Sequence, residues 1–458
     1  MSYKVHPITE VEKLKILNQY EGHFLDFKSK ETAATKLTKH LSAFANADGG
    51  EMYIGIDEDN GIFRWNGFKD PEESNSHIQV LENYFPLGGE CDYSFFSDEN
   101  KSIVLRIEIR KSSSIKYAAD GKVYLRRGAQ SLPQNDDEKI ERLKRNKGII
   151  SFETELLRIP IEILTESDVI KSFMSAIIPQ RDSLGWLKKQ LLIREEMPTV
   201  AGTLLFSDEP QAALPKRCGI KIYRYKTKGE ASRQSLAFDP ITIEGCIYNQ
   251  IFDSVTKTIE VIQNIDVLGE SSFEKITYPR EAIHEIVTNA VIHRDYSITD
   301  DIHIRIFDNR VEVESPGTLP AHVNVFNILE ERFARNGAIV RLINKFPNPP
   351  NKDVGEGLNT AFKSMRDLKL KDPVIIQNEN DVLVIIKHEP LASPEEIIMK
   401  YLEENLEINN KKARDICFIG SENVVKRIFK TLISKNMIEV IPGRKGKATA
   451  YRKVKVDK

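Results

Sequence analysis

Residues 278–296 read YPREAIHEIVTNAVIHRDY. The apolar side chains Ile286, Val287, Ala290, Val291 and Ile292 mark a buried helix. Glu285, Asn289 and His293 recur every fourth residue, so they stack along one face of it. An acid, an amide and an imidazole in line on a core helix have two readings. They are a solvated helix edge, or the polar side of a binding site.

The sequence downstream favours a site. Asp308-Asn309-Arg310 reads as a turn between the strands DIHIRIF and RVEVES, and Ser315-Pro316-Gly317 ends the second strand. Arg335-Asn336-Gly337 follows in a loop, and Gly355-Glu356-Gly357 precedes a helix, LNTAFKSMRDL. A GxG before a helix leaves backbone N–H groups at its N-terminus, which suits phosphate. Asn is a neutral oxygen ligand for Mg2+, which bridges phosphates. Glu can orient an attacking water as a general base.

In this order YPREAIHEIVTNAVIHRDY, RVEVESPGTLP, RNGAI and GEGLNTAFK resemble a divergent branch of the GHKL nucleotide-binding fold of gyrase, heat-shock and histidine-kinase ATPases. The resemblance covers about residues 275–390. It implies ATP or another nucleotide with Mg2+. Glu285 would orient water, Asn289 would hold Mg2+, and Gly355 and Gly357 would lie by the phosphates, with His293 and Arg335 nearby. One position departs from the pattern. Where the usual fold sets the Asp of a DxGxG motif against the adenine amino group, this chain has Ser315-Pro316-Gly317. The departure implies a site that holds phosphates without strictly demanding ATP. The alternative is a degenerate domain kept as a scaffold for dimerisation.

The rest of the chain sets the context. With 458 residues, 40% hydrophobic and 29% charged, the composition is that of a globular protein of about three domains. No apolar run approaches the roughly 18 residues of a membrane helix, and the first residues do not read as a secretory signal. Cys91, Cys218, Cys246 and Cys417 are far apart and form no CxxC pair, so neither a disulfide framework nor a structural zinc site is expected. These features predict a cytoplasmic protein with no membrane contact.

Net charge is −2, but residues 409–458 hold fourteen Lys or Arg against four Asp or Glu. A basic end on an acidic body suggests a polyanion contact, with a solubilising tail as the plainer reading. Residues 394–404, KKARDICF and ENVVKRIFKTLISKNM read as three helices, and EVIP, GRKGKA and TAYRKV as strand, basic turn and strand. That is the order of a winged helix-turn-helix, with its third helix in a major groove and its wing on phosphates. Candidate contacts are Asn423, Lys426, Arg427 and Lys430 on the helix, and Arg444, Lys445 and Lys447 on the wing. Winged helices also serve as protein–protein modules, and such regulators often dimerise, which points to a homo-oligomer.

Near the N-terminus, EGHFLDFK carries Glu21, Asp26 and Lys28, with Asp26 and Lys28 on one side of a strand. IGIDEDNG places Asp57 at the end of another strand. Carboxylates beside a lysine could hold a divalent metal against a phosphodiester, although exposed strand acids are common. E-x4-D-F-K, a helix ending SAFANADGG, then YIGIDEDNG and VYLRRGAQSLP, resemble the Schlafen-type AlbA domain over about residues 14–135. The resemblance implies RNA cleavage with Mg2+ or Mn2+ held by Glu21, Asp26 and Asp57, with Lys28 beside them and Arg126 and Arg127 near substrate phosphate. Asp26 stands where many relatives have Glu, which shortens its reach.

These readings predict an α+β multidomain chain. Residues 1–148 are a Schlafen-type AlbA domain, 149–274 a connecting region of helices and strands, 275–390 a GHKL-like domain, and 391–458 a winged helix-turn-helix. Within them residues 1–20 read as a lead-in helix, Asp48-Gly49-Gly50 as the close of the helix TKLTKHLSAFANA, and Asp59-Asn60-Gly61 as a hairpin turn. VAGTLLF reads as a buried strand and residues 241–264 as one long helix. The leading expectation is a protein that binds and cuts RNA, such as tRNA, or single-stranded DNA under nucleotide control. That would suit bacterial stress response or phage defence. The alternative is a non-enzymatic, nucleotide-sensing, DNA-binding transcriptional regulator.

Overall fold

The computed structural model describes residues 3–454, except 87, 179–181, 215–217, 269–272, 276–277, 351–356, 389–393, 418, 420 and 443–448. The chain divides into two compact units. The first comprises residues 1–365 with 372–387, the second 366–371 with 388–458. It is a mixed α and β multidomain protein.

The first unit opens with a strand, β1 (Val5–Pro7), ahead of the expected lead-in helix α1 (Glu10–Leu17). Next come β2 (Leu25–Lys28), α2 (Ala34–Asn46), β3 (Gly50–Ile54) and a hairpin of β4 (Ile56–Asp59) and β5 (Ile62–Trp65). Then follow α3 (Asn75–Tyr84), β6 (Cys91–Ser97), β7 (Ile103–Ile109), a hairpin of β8 (Val123–Arg127) and β9 (Gln130–Gln134), and α4 (Asp137–Asn146). The main sheet runs β1-β6-β7-β3-β2. Leu37, Leu41 and Phe44, one helical turn apart on α2, bury against Met52, Ile54, Leu105 and Ile107. Asn60 and Gly61 turn the β4–β5 hairpin with φ of 51° and 78°, as a tight two-residue loop requires. Gly49 ends α2 with φ +80°, its N–H bonded to the Phe44 carbonyl 3.0 Å away.

Two expectations for the middle of the chain are corrected. VAGTLLF was predicted as a strand and is a helix, α5 (Val200–Phe206), with all seven residues buried. An apolar run has no periodicity to separate helix from strand. Here the Thr199 side chain accepts from the Gly202 N–H and starts the helix. Residues 241–264 were predicted as one helix. Their β-branched start instead pairs as a strand with β10 (Ile220–Arg224) to form β11 (Ile241–Ile243). Gly245 at φ +98° breaks the chain before α6 (Ile247–Gln263).

Helix α7 (Arg280–Ile292) carries the opening stretch, followed by β12 (Ile302–Ile306), β13 (Arg310–Pro316), α8 (Gly337–Ile343), α9 (Gly357–Asp367), β14 (Val374–Gln377) and β15 (Asp381–Lys387). Six strands form one sheet in the order β11-β10-β12-β13-β15-β14. β10 and β12 run parallel, so this sheet crosses the boundary drawn at residue 275. α7 buries Ile283, Ile286, Val287 and Val291 and packs on α6 and β13.

The second unit holds α10 (Pro394–Glu404), β16 (Ile408–Asn409), α11 (Asn410–Cys417), α12 (Glu422–Ser434), β17 (Ile438–Val440) and β18 (Ala450–Lys453). The three helices match the predicted segments, while β16 was not foreseen. The strands form a sheet in the order β16-β18-β17. The core is Ile398, Leu402, Val425, Phe429 and Leu432. Arg444, Lys445 and Lys447 lie outside the described residues. Among the described residues, no helix is long and apolar enough to cross a membrane.

A methyl group on Gly49 would lie 2.6 Å from the Ile109 carbonyl oxygen at a φ that L side chains avoid. Gly49→Ala is expected to lower stability by about 2–4 kcal/mol, read as a fall in the urea midpoint with an unchanged slope.

Candidate functional site

A cavity of about 360 Å³ opens beside α7. Ile286, Asn289, Ala290 and His293 face it from the helix, and Val313, Ile375, Val382 and Val384 face it from the sheet. At its polar side the Asn289 amide donates to Glu285 Oε1 over 2.7 Å. Gly357, the first residue of α9, has φ +40°, and a Cβ there would come within 4.0 Å of Glu285 Oε1. The acid, the amide and the start of a helix therefore lie close together. Burial raises the Glu285 carboxyl above its usual range, and the Asn289 hydrogen bond partly opposes this. The His293 ring also lines the cavity, and its Nδ1 is buried with no partner among the described residues. Burial, and then the Arg335 charge, push its pKa down to about 4, so the ring is neutral near pH 7.

Other predicted residues lie elsewhere. Arg335 does not line this cavity. It is buried, pairs with Asp295 over 3.2 Å and donates to the Thr318 carbonyl. Asn336 donates to the Ile292 and Arg294 carbonyls at 3.0 and 2.8 Å. The Arg-Asn-Gly segment therefore closes the C-terminal end of α7. Both Glu153 oxygens accept from the Ala338 and Ile339 N–H groups at 2.9 Å, capping α8 from the connecting region. Ser315 Oγ donates to the Ala290 carbonyl over 2.7 Å, so its hydroxyl is engaged by the helix. Gly355 lies outside the described residues.

The N-terminal acids form a second centre. Asp26 is 1% exposed. Lys28 Nζ lies 2.6 Å from its Oδ1, while His40 Nδ1 and Arg126 Nη1 lie 2.9 and 3.1 Å from its Oδ2. Burial alone would raise the Asp26 pKa. His40, Glu21 and Lys28 outweigh burial and hold it well below the usual carboxylate range. Glu21 Oε1 accepts from the Phe27 N–H at 2.8 Å and lies 3.6 Å from Lys28. Burial and the hydrogen bond with Asp26 raise Glu21. The two neighbouring acids are thus pushed apart, Asp26 ionised and Glu21 the more readily protonated.

Asp57 stands on the β4–β5 hairpin, opposite Arg64. Its Oδ2 accepts from Asn66 at 2.6 Å, and its Oδ1 is buried without a partner among the described residues. Among the described residues, no group of three His, Cys, Asp or Glu side chains could hold a metal ion. Arg126, which the resemblance sets near substrate phosphate, is instead 1% exposed. It donates to the Gly22 and Leu25 carbonyls and lies over the Phe44 ring, 4.6 Å from its centroid. Strand alternation on β8 turns Arg126 inward and leaves Arg127 outside, 3.0 Å from Glu379. His40 was missed, because on the sequence it reads only as the flank of the apolar stripe of α2. In the second unit, Asn423, Lys426, Arg427 and Lys430 share the exposed face of α12.

Removing Arg126 strips Asp26 of a buried partner. Arg126→Ala is expected to cost about 3 kcal/mol in chemical denaturation. The depressed pKa of Asp26 contributes stability above its unfolded pKa of about 4, lost as pH falls further. Asp26→Asn should therefore flatten the acid limb of a thermal-stability profile below about pH 4 while lowering stability at neutral pH.

Residues 21–135 match the family described as "Schlafen, AlbA_2". Residues 299–386 match the family described as "Putative ATP-dependent DNA helicase recG C-terminal". α7 lies just ahead of that second segment. No match was found among curated proteins. Among solved structures, the DIP2311 protein from Corynebacterium diphtheriae aligns over 97% of this chain and 96% of its own, at 16% identity and a TM-score of 0.42. The chain carries a Schlafen AlbA_2 domain followed by a domain of an ATPase-like family.

Proposed function

We propose that this protein binds nucleic acid and senses a nucleotide at the α7 cavity, the regulator reading of its sequence. One observation carries this. Glu285, Asn289 and the start of α9 converge beside an apolar cavity of about 360 Å³. The donor set fits a Mg2+–nucleotide of the GHKL type. Asn289 would hold the metal, the N–H groups opening α9 would take phosphate, and the valines of β13 and β15 would flank the base. Bound Mg2+ would supply the charge that neutralises the phosphates. Glu285 stands where it would orient a water. Ser315 offers no carboxylate to the base, so adenine selection would fall to shape and backbone groups.

For the second unit, we read α12 as the recognition helix of a winged helix-turn-helix. The support is its exposed Asn423, Lys426, Arg427 and Lys430 above the Val425, Phe429 and Leu432 core. The AlbA_2 domain supplies a further nucleic-acid surface. The nuclease reading finds less support, because both Asp26 oxygens are held by cations and Asp57 is bonded to Asn66. These residues, as arranged, do not fit a bridged metal pair.

Calorimetry with ATP and Mg2+ is expected to show one site per chain. Asn289→Ala should abolish the gain in affinity that Mg2+ brings, and Val384→Trp should block the cavity altogether. No heat with any purine nucleotide would overturn the reading. Replacing Lys426, Arg427 and Lys430 by Ala should reduce the slope of log affinity for duplex DNA against log salt by about 3. Incubated with tRNA and Mn2+ or Mg2+, the protein is expected to leave the RNA intact. Cleavage that disappears in Glu21→Ala would establish the nuclease reading instead.

A further inference from the structure

A second and larger hollow, about 1070 Å³, lies in the first unit. The β8–β9 hairpin and α4 form one side, and the β14–β15 turn forms the other. Six Lys or Arg side chains line it against two carboxylates, Asp48 and Glu379; Lys111, Arg126 and Lys147 are buried and bonded within the protein, which leaves Arg127, Lys139 and Arg142 exposed to a ligand. Arg127 and Arg142 are exposed at the rim, and both contact the β14–β15 turn. The Arg127–Glu379 pair is open to solvent, with side chains 49% and 68% exposed, and such pairs contribute little stability. Glu379 therefore occupies an arginine that a phosphate could take at small cost.

The mouth also carries exposed aromatic surface. Phe24 lines the cleft at 40% exposure. Phe326, at 76% exposure, meets it edge-on with centroids 5.3 Å apart. An exposed ring pair beside a cationic groove is the combination that holds unpaired bases, the rings stacking and the cations tracking the backbone. A duplex hides its base faces from such rings.

We propose that this cleft, shared by the AlbA_2 domain and the ATPase-like sheet, binds single-stranded nucleic acid. Phe24 and Phe326 stack bases, and Arg127 and Arg142 hold phosphates in competition with Glu379. This rests on the reading of the chain as a nucleic-acid-binding protein and adds the strand type and its place.

Fluorescence anisotropy of the full chain with a labelled oligouridine or oligothymidine of about 12 nucleotides, and with duplex DNA, provides the test. Arg127→Ala/Arg142→Ala is expected to weaken single-strand binding at least tenfold and to lower its salt slope by about 1.4. Phe24→Ala should weaken it about tenfold. Glu379→Gln should tighten it, and all of these should leave duplex binding unchanged. Unchanged single-strand affinity in both Arg127→Ala/Arg142→Ala and Phe24→Ala would overturn the cleft. So would single-strand binding that falls only when Lys426, Arg427 and Lys430 are replaced, although nucleic-acid binding by the chain would then stand. A wild-type protein that binds neither single strand nor duplex would overturn both.

Discussion

A buried ammonium joins the two halves of the first unit. Lys111 Nζ donates to Asp48 Oδ1 at 3.1 Å and to the Leu319 and Val323 carbonyls at 2.9 and 3.0 Å. All three of its protons are engaged, the condition under which a charge can be held away from water. Burial pushes the Lys111 pKa down and Asp48 opposes that. Asp48 is held in turn by His23 and by the Gln377 amide. Leu319 and Val323 line the α7 cavity, while Asp48 and Lys111 line the cationic cleft. The wall of one hollow is thus fastened to the wall of the other. Thr318 and Ile375 face both.

The acids near the N-terminus show how position alters chemistry. Glu21 and Asp26 sit five residues apart and are both carboxylates. Packing gives Asp26 His40, Arg126 and Lys28 at 2.6 Å, and leaves Glu21 a backbone N–H, a neighbouring acid and the same Lys28 at 3.6 Å. One becomes a firmly ionised anchor for β2, β8 and α2, and the other keeps its proton more readily. The anchor places Arg126 inside the domain and turns its neighbour Arg127 toward the cleft.

Much of this was legible in the residues themselves. Asn60-Gly61 marked its hairpin, Gly49-Gly50 marked the end of α2, and the C-terminal helices fell where their apolar spacing put them. The four-residue spacing of Glu285 and Asn289 sufficed to bond them, because i and i+4 side chains meet on any helix. VAGTLLF failed for the complementary reason. A segment buried on every side carries no pattern, and its state was decided by a capping threonine and by the space available.

The sequence by itself therefore determined the local features: caps, turns, the amphipathic stripes and the polar line of α7. Only the tertiary structure decided which charges face water. It buried Arg126 and Arg335 in ion pairs, kept Arg127 and Arg142 on a cleft, and set Ser315 against a helix carbonyl. It also drew β10 from the connecting region into the sheet of the α7 cavity. Such outcomes depend on partners tens to hundreds of residues away. Their physical reason is that a buried charge must be paired, and its partner is supplied by the packing of distant elements rather than by neighbouring residues.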